Sequence, residues 1–444
     1  MTRQTPTPSR ERREALRVHA QSLMSPGVDN AVGSRSVPKD VPVIILNLFY
    51  TGLGIARELA GHGIRVVGIS AHPNIYGNFT RFCEVRAAPN SQEQPEALYE
   101  FLLQQSAGEL RGAVIFPTRD FDVLFLDRYR DRLRSHYRLA IPPRGPLSQV
   151  IDKYTLVCVA HGAGVACPKT IVLRSPEEFG RVPLQVGFPC VAKPVSSYQW
   201  REGANWERVG GRKAFLIDTM ETLEREYAKV QLAHHKVLVQ EWIPGETENI
   251  VVLGGYVGAN SDPLAYFTAR KIIQSPDEYF GTGCVVRSEE ISELLEPTRR
   301  LWRALRYRGM AEVEYKMDPR TGEFKLIEMN TRHWDQHELG RASGVNLSWT
   351  AYCDLTGKEV TPARSRTTLA IWIAEDSLFS HILRSIRGRK LQIRKLHRQI
   401  SGPWIFGIFS WRDPWPFVRY FLTVMLPGVA KQAVRTLRKG ERRL

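Results

Sequence analysis

The sequence has few cysteines, and their positions match no metal or redox motif. Its six cysteines in 444 residues form no CxxC pair and no set with the spacing of zinc ligands. The first residues lack the pattern of a secretory signal peptide, and no run reaches the roughly 20 apolar residues that span a bilayer. We therefore expect a cytoplasmic protein whose thiols stay reduced at positions 83, 158, 167, 190, 284 and 353.

Acidic residues are scarce at the C-terminal end. Residues 378–444 contain fifteen lysines and arginines but only Asp413 and Glu441, and residues 1–40 contain seven basic and four acidic residues. The net charge of +16 therefore belongs to the two ends, and residues 41–377 are neutral overall. A charge confined to the ends predicts contact with an anionic surface there, separate from the active site.

The length allows two or three domains, and 43% apolar residues supply their cores. Residues 1–40 are rich in Pro, Ser and Arg without a sustained period, which predicts a disordered or partly helical leader. We then expect a Rossmann-like α/β domain over residues 41–150, an α+β domain over 151–361 and a basic, aromatic-rich C-terminal extension over 362–444.

The Rossmann-like domain is predicted from a βαβ unit. Val41–Leu46 and Arg65–Ser70 are apolar strands, Gly52–Gly54 is a tight turn and Ile55–His62 is a helix, so the sheet is parallel. The two glycines also suggest a dinucleotide site. However, Arg57 stands where the third glycine of that motif falls, and no acidic residue ends the second strand. A purely structural turn is the favoured interpretation.

Three oxygen ligands are predicted on a hairpin. Glu328 and Asn330 lie two apart in an apolar strand, so they share one face, and Glu314 lies in the preceding strand across the turn 318–322. Two carboxylates and an amide suit Mg²⁺, which also takes water and phosphate oxygens. Arg332 is placed to stabilise a transferring phosphoryl group. The alternative is that Glu328 and Asn330 are simply solvated.

Upstream segments fit a nucleotide. Lys193 lies in the apolar strand 187–195, and because a buried unpaired ammonium is costly we expect it to meet a phosphate, unless its head reaches solvent. The glycine-containing loop Ser196–Lys213 is able to fold over phosphates. The strand and turn Val237–Glu248 present backbone groups and acids that suit an adenosine.

Four motifs, in this order, resemble those of the ATP-grasp superfamily between Val41 and Thr356. They are Asp152-Lys153, the strand with Lys193, Gln240-Glu241-Trp242-Ile243-Pro244-Gly245 and Glu328-Met329-Asn330-Thr331-Arg332. Within that superfamily the sequence looks most like predicted carboxylate-amine ligases, relatives of D-alanine:D-alanine ligase and biotin carboxylase. The resemblance implies a Rossmann-like pre-ATP-grasp domain followed by a two-lobed ATP-grasp domain that binds ATP.

The resemblance also implies roles for individual residues. Contacts with ATP would come from Lys153, Lys193, Glu241, Trp242, Ile243 and, for the ribose in an ambiguous register, Glu246 or Glu248. Ligands of Mg²⁺, with Mn²⁺ as an alternative, would be Glu314, Glu328 and Asn330. Arg332 would stabilise an acyl-phosphate.

The sequence departs from these relatives. Glu314 stands where many have aspartate. The stretch 333–337 partly resembles the biotin carboxylase pattern, but Gln336 replaces its catalytic glutamate, so bicarbonate chemistry is not expected. His333 and His337 also raise a zinc site, although no third ligand is evident.

The expected function is an ATP-dependent carboxylate-amine ligase that joins a small-molecule carboxylic acid and an amine through an acyl-phosphate. Arg270 and Lys271 are candidates for a further clamp on a phosphate or substrate carboxylate, with a basic pair on an exposed strand as the alternative. The competing function is an inactive ATP-binding scaffold tethered by its basic end. Phosphorylation without ligation is a third.

Aromatic residues crowd residues 404–421 between basic blocks, and three interpretations are open. They pack on the body, or residues 378–444 meet an anionic membrane surface, or they stack on nucleic acid, for which no RNP, KH or zinc pattern is visible. The residues are Trp404, Phe406, Phe409, Trp411, Trp415, Phe417, Tyr420 and Phe421.

Overall fold

The computed structural model describes residues 40–428 except 197, 202, 232–235, 277–278, 366–368 and 389–391. The predicted leader, apart from Asp40, and the basic residues after 428 lie outside the described residues. Across the described ranges the strands form three sheets, and no helix combines the length and apolar character needed to cross a bilayer.

The first sheet is built from short apolar strands that alternate with helices. Its elements are β1 (Val43–Leu46), α1 (Tyr50–Ala60), β2 (Val66–Ser70), β3 (Glu84–Ala87), α2 (Pro95–Ser106), β4 (Val114–Phe116), α3 (Asp120–Arg128), α4 (Arg130–Leu133) and β5 (Arg138–Leu139). All neighbours pair in parallel, in the order β3-β2-β1-β4-β5. Residues after β1 and β4 therefore meet at the carboxyl edge of this sheet.

The predicted tight turn at Gly52–Gly54 is wrong, because both glycines lie inside α1. The chain turns earlier, at Asn47, which has a φ of 70°. A Cβ on Gly52 would lie 2.0 Å from the Asn47 carbonyl oxygen, and one on Gly54 would lie 2.7 Å from the His337 ring. These glycines therefore allow α1 to approach neighbouring segments closely.

The second sheet is antiparallel and carries the predicted lysine strand. Helices α5 (Arg144–Ile151) and α6 (Lys153–Gly162) precede β6 (Thr170–Leu173), α7 (Arg181–Gln185), β7 (Cys190–Pro194), α8 (Asn205–Arg208), β8 (Phe215–Ile217), α9 (Met220–Gln231) and β9 (Val237–Glu241). The strand order is β6-β9-β7-β8. Along β7, Cys190 and Ala192 pack in the core while Val191 and Lys193 occupy the other face.

The third sheet contains the acidic hairpin. Its elements are β10 (Ile250–Val257), β11 (Pro263–Ser275), β12 (Thr282–Ser288), α10 (Leu295–Leu305), β13 (Gly309–Met317), β14 (Phe324–Asn330), α11 (Leu339–Ala342), α12 (Leu347–Thr356), β15 (Ala363–Arg364), β16 (Ile371–Ile373), α13 (Glu375–Arg387), α14 (Ile393–Gln399), β17 (Trp404–Phe406) and α15 (Trp415–Tyr420). The order is β14-β13-β10-β11-β12-β16-β17, with β15 paired to β11.

Part of the predicted C-terminal extension belongs to this sheet. Strand β16 pairs with β12, and β17 pairs with β16. The crowded aromatic residues are divided by their environment: Tyr420 is 4% exposed, whereas Trp411 is 89% exposed and Trp415 is 61% exposed. Packing on the body therefore accounts for only some of them.

Candidate functional site

The β13–β14 hairpin brings the three predicted metal ligands to one cavity. In its antiparallel register, Glu314 lies opposite Glu328 and Glu312 lies opposite Asn330. The turn falls at residues 318–322, as predicted. Glu314, Glu328 and Asn330 line a cavity of about 610 Å³, together with residues of the second and third sheets and of the segments that follow β1 and β4.

Two predicted lysines reach this cavity from elements that are tied together. Asp152 caps α6, because its Oδ1 accepts a backbone hydrogen bond of 2.8 Å, and Lys153 is the first helical residue. The backbone N–H of Lys153 donates to the carbonyl oxygen of Val195 at 2.9 Å. This bond joins the start of α6 to the end of β7, which carries Lys193.

The two carboxylates of the hairpin are each paired with a lysine. Glu328 Oε1 lies 2.8 Å from Lys153 Nζ, and Glu314 Oε2 lies 2.7 Å from Lys271 Nζ. Burial opposes ionisation of Glu328, but Lys153 outweighs it and lowers the pKa of that carboxyl. Burial likewise opposes the charge of Lys271, but Glu314 outweighs it and raises the pKa of that ammonium. Glu328 is therefore ionised, and Lys271 is protonated, at neutral pH.

Lys193 differs from these lysines, because burial and its charged neighbours together lower its pKa. Its Nζ donates to the carbonyl oxygen of Ile327 at 3.3 Å. Burial and the nearby charge of Lys153 lower the pKa of Lys193 to about 7, against the opposing effect of Glu328. An anionic phosphate beside it would restore the fully charged ammonium.

Arg332 connects the hairpin to the first sheet. Its Nε lies 2.7 Å from Oδ1 of Asp120, which follows β4 and begins α3. Its Nη1 donates to the carbonyl oxygen of His333 at 3.0 Å. Burial alone would lower the pKa of Arg332, but the charge of Asp120 outweighs this effect and raises it. The guanidinium is therefore permanently charged. Arg332 lines the same cavity as the hairpin carboxylates.

The segment predicted to meet adenine also lines the cavity, through Glu241, Trp242 and Ile243. The Glu241 carboxylate is already bound within the protein, 2.8 Å from Arg320 and 3.1 Å from Lys325. These ion pairs lower the pKa of Glu241 although burial opposes them. Because the Glu241 carboxylate is paired, this segment can contact a ligand in the cavity through its backbone and the Trp242 ring.

The two predicted ribose-binding acids lie elsewhere. Glu246 Oε2 is 3.3 Å from Lys395 Nζ, and Glu248 Oε1 accepts from Gln399 Nε2 at 3.2 Å. Both partners belong to α14, and neither acid is among the described residues that line the cavity. Side chains of α14 therefore bind both carboxylates, a contact that the sequence pattern could not predict.

The predicted basic clamp is split by the alternation of β11. Lys271 is buried in the cavity, whereas Arg270 makes two hydrogen bonds of 2.8 and 2.6 Å to Glu289. Arg270 is not among the described cavity residues, because adjacent strand residues face opposite sides of the sheet. The clamp as predicted is therefore corrected to Lys271 alone.

The two histidines beyond the hairpin are buried, and one ring nitrogen of each contacts a polar atom of the protein. His333 Nε2 lies 3.1 Å from Ser348 Oγ, and His337 Nδ1 lies 2.7 Å from a backbone carbonyl oxygen. Burial lowers both pKa values, that of His337 to about 4. Gln336 Nε2 donates to the carbonyl oxygen of Gly283 at 2.8 Å. Within the part of the chain that the structure describes, no three His, Cys, Asp or Glu side chains form a metal-binding group, so the zinc alternative gains no third ligand.

Sequence reasoning missed Glu312, although its signal was present. Glu312 lies two residues before Glu314, so strand alternation places both on one face. Its Oε2 accepts a hydrogen bond from Asn330 Nδ2 at 2.9 Å. Burial and the charge of Glu314 raise the pKa of Glu312 to about 8.

Lys213 and Asp120 were also missed as cavity residues. Lys213 ends the glycine-containing loop, and its Nζ donates to Thr282 Oγ1 at 2.6 Å, a contact that only the folded chain reveals. Asp120 follows a parallel strand at its carboxyl end, where functional side chains of such sheets gather. That rule was the available signal for Asp120.

The donor set fits a hard divalent cation that binds together with a nucleotide. Glu314, Glu328 and Asn330 offer oxygen atoms on facing strands, which is the ligand chemistry of Mg²⁺. Three protein ligands leave coordination positions for water and phosphate oxygens. Lys153 holds the Glu328 carboxylate ionised, as ligation requires, and Lys271 forms an ion pair with Glu314.

Comparisons with known proteins point to one fold. The family model of the carbamoyl-phosphate synthase L chain, ATP binding domain, matches residues 259–352, which contain the hairpin. N5-carboxyaminoimidazole synthetase from Staphylococcus aureus, solved in complex with ADP, aligns with a TM-score of 0.60 and 14% identity over 80% of this chain and 89% of that chain. The fold is therefore similar to that of this synthetase, and residues 259–352 resemble the ATP-binding domain of carbamoyl-phosphate synthase.

Two curated proteins similar to this chain are ligases by name. D-aspartate ligase from Enterococcus faecium is 21% identical, over 61% of this chain and 66% of its own length. D-alanine--D-alanine ligase from Ectopseudomonas mendocina is 27% identical, over 41% of this chain and 55% of its own length. The chain therefore spans between about half and two thirds of the length of these relatives.

Proposed function

We propose that this chain is an ATP-grasp protein and an ATP-dependent carboxylate-amine ligase that works through an acyl-phosphate. The observation that carries the proposal is the pairing of Lys153 with Glu328 and of Lys271 with Glu314 around one cavity. The names of the two similar ligases support the same reaction class.

ATP would bind with its adenine beside the backbone of Glu241 and Ile243 and the Trp242 ring. Its phosphates would lie near Lys153 and Lys193. The domain with the five-stranded parallel sheet would serve as a Rossmann-like pre-ATP-grasp domain, since the segment after its strand β4 lines the same cavity through Arg119 and Asp120. We place the reaction in the cytoplasm.

The chemistry assigned to the site has two steps. A carboxylate oxygen of the acid attacks the γ-phosphorus and the bond to ADP breaks, while Lys193, Lys271 and Arg332 stabilise the charge on the transferring group. The amine nitrogen then attacks the acyl carbon, phosphate leaves and the nitrogen loses a proton. Mg²⁺, or Mn²⁺ in its place, would be held by Glu314, Glu328 and Asn330 and would supply further charge neutralisation at the phosphates.

The test is ADP release from Mg²⁺-ATP with a panel of amino acids and other small carboxylic acids, each paired with amines. Turnover that requires both an acid and an amine would support the ligase. Glu328→Gln should abolish it, whereas Glu323→Gln, on the exposed turn of the same hairpin, should not. ATP binding without turnover on any pair would overturn the proposal in favour of a scaffold, and phosphorylated acid without amide would favour phosphorylation alone.

A further inference from the structure

Residues 411–426, which include the last described α-helix, carry an exposed apolar strip. Its side chains all point to solvent. Trp411 is 89% exposed, Trp415 is 61% exposed and Leu422 is 55% exposed, so large apolar groups meet water here. The apolar strip consists of Trp411, Trp415, Val418, Phe421, Leu422, Val424 and Leu426.

Buried residues anchor the segment that carries the apolar strip to the rest of the protein. Asp413 is fully buried, and its Oδ2 lies 3.1 Å from Arg57 Nε and accepts a hydrogen bond of 2.7 Å from Thr80 Oγ1. Tyr420 is buried, with its ring centroid 6.1 Å from that of Tyr76. The segment is therefore docked on the first sheet through polar and aromatic contacts while its apolar side chains remain outside.

The strip has helical spacing, but its apolar face points to solvent, whereas the apolar face of an ordinary surface helix points to the core. Trp415, Val418 and Leu422 follow one another at intervals of three and four residues, which places them on one face. In a globular protein such a face normally packs inward. Here the inward positions are taken by Pro416 and Tyr420, so the apolar face is presented to a partner.

The charge around the strip indicates what that partner is. Arg81 and Arg412 are exposed near the strip, and the sequence after residue 428 has six lysines and arginines against Glu441. Residues 1–39 also carry a net positive charge, with seven basic and three acidic residues. Tryptophan and aliphatic side chains bordered by cations match the interface of an anionic bilayer.

We propose that the apolar strip inserts into the interfacial layer of an anionic lipid membrane and attaches this chain to its surface. The tryptophans enter the headgroup boundary, and the arginines contact lipid phosphates. The proposal does not depend on the ligase reaction, because the strip contributes no residue to the described cavity lining.

The test is co-sedimentation of the full chain with phosphatidylcholine vesicles with and without phosphatidylglycerol. We expect binding to the anionic vesicles only, weakened by about tenfold in the double variant Trp411→Ser, Trp415→Ser. The matched control is Leu184→Ser with Leu369→Ser, which removes two exposed apolar side chains, 86% and 63% exposed, from other surfaces. Leu422→Glu provides a second variant in the strip, and an unchanged melting temperature checks that each variant is folded.

Three results would overturn the proposal. Equal binding of the parent and both strip variants would assign attachment to the basic residues alone. Equal binding to neutral and anionic vesicles would remove the role of charge. A dimer that becomes monomeric in the strip variants, without vesicle binding, would show that a second copy of the chain covers the strip.

Discussion

Glu314 lies directly opposite Glu328 in the hairpin, and each carboxylate pairs with a lysine from a different element. Lys153 begins α6, and Lys271 lies in β11 of the third sheet. These two ion pairs therefore form only when the third sheet and α6 are assembled. Removal of either lysine would leave a carboxylate without its partner.

Lys271→Ala should lower turnover by about 100-fold, because the site loses a cation beside the transferring phosphoryl group. Arg270→Ala, one residue away, should change turnover by less than about threefold, since Arg270 is bound to Glu289 on the other face of β11. The measurement is ADP release at saturating ATP. Equal losses in the two variants would contradict the assignment of Lys271 to the cavity chemistry.

Binding of ATP should take up a proton through Lys193. Its pKa is lowered to about 7 by burial and by Lys153, and a bound phosphate would raise it again. Between about pH 7 and 8, ATP affinity should therefore fall as the pH rises, by at most about tenfold per pH unit. Calorimetry in buffers of different ionisation enthalpy measures the uptake, and Lys193→Arg should abolish it. An undiminished uptake in the variant would assign the proton to another group.

Asp120→Asn should lower turnover by about tenfold, because Arg332 loses the carboxylate that fixes its orientation. The affinity for ATP should stay within about twofold of the parent, as the ion pair includes neither of the lysines that would hold ATP. The matched control is Asp127→Asn, which lies on α3 like Asp120 and breaks the ion pair with Arg130 of α4. If Asp120→Asn lowers the melting temperature but leaves kcat unchanged, the pair is only structural.

Local patterns predicted the elements that carry the chemistry. The hairpin around residue 320 follows from alternation and a turn sequence, so Glu314, Glu328 and Asn330 are placed correctly on one face. The strand with Lys193 follows from its apolar run. Such features depend on neighbours within a few residues, which the sequence contains.

Long-range packing accounts for what the sequence did not predict. The positions of Glu246 and Glu248 depend on α14, about 150 residues later, and the pairing of Arg332 depends on Asp120, which is 212 residues earlier. The division of the aromatic residues around Trp411 depends on which of them meet the first sheet. None of these contacts leaves a periodic signal.

Stability should depend on pH through Glu58 in α1. Burial and the nearby charge of Glu338 raise the pKa of Glu58 from 4.5 to about 8. The folded state therefore holds a proton that the unfolded chain releases between these values, so stability is lost as the pH rises toward about 8. Glu58→Gln, which mimics the neutral acid, should recover up to about 4 kcal/mol near pH 8 and less than about 1 kcal/mol near pH 5.

Urea unfolding at both pH values measures this difference. The exposed residue Glu100 on α2 supplies the control, because Glu100→Gln should leave the pH dependence of unfolding unchanged. A Glu58→Gln variant with the same slope as the parent would show that Glu58 is not the group responsible.

The acyl-phosphate is tested most directly by following the oxygen atoms of the acid. An acid that supports turnover is labelled with ¹⁸O in its carboxylate, and the phosphate released with Mg²⁺-ATP and the amine is analysed by mass spectrometry. The account predicts that each phosphate carries one ¹⁸O atom, because the carboxylate oxygen attacks phosphorus and leaves with it. Release of unlabelled phosphate during amide formation would contradict it.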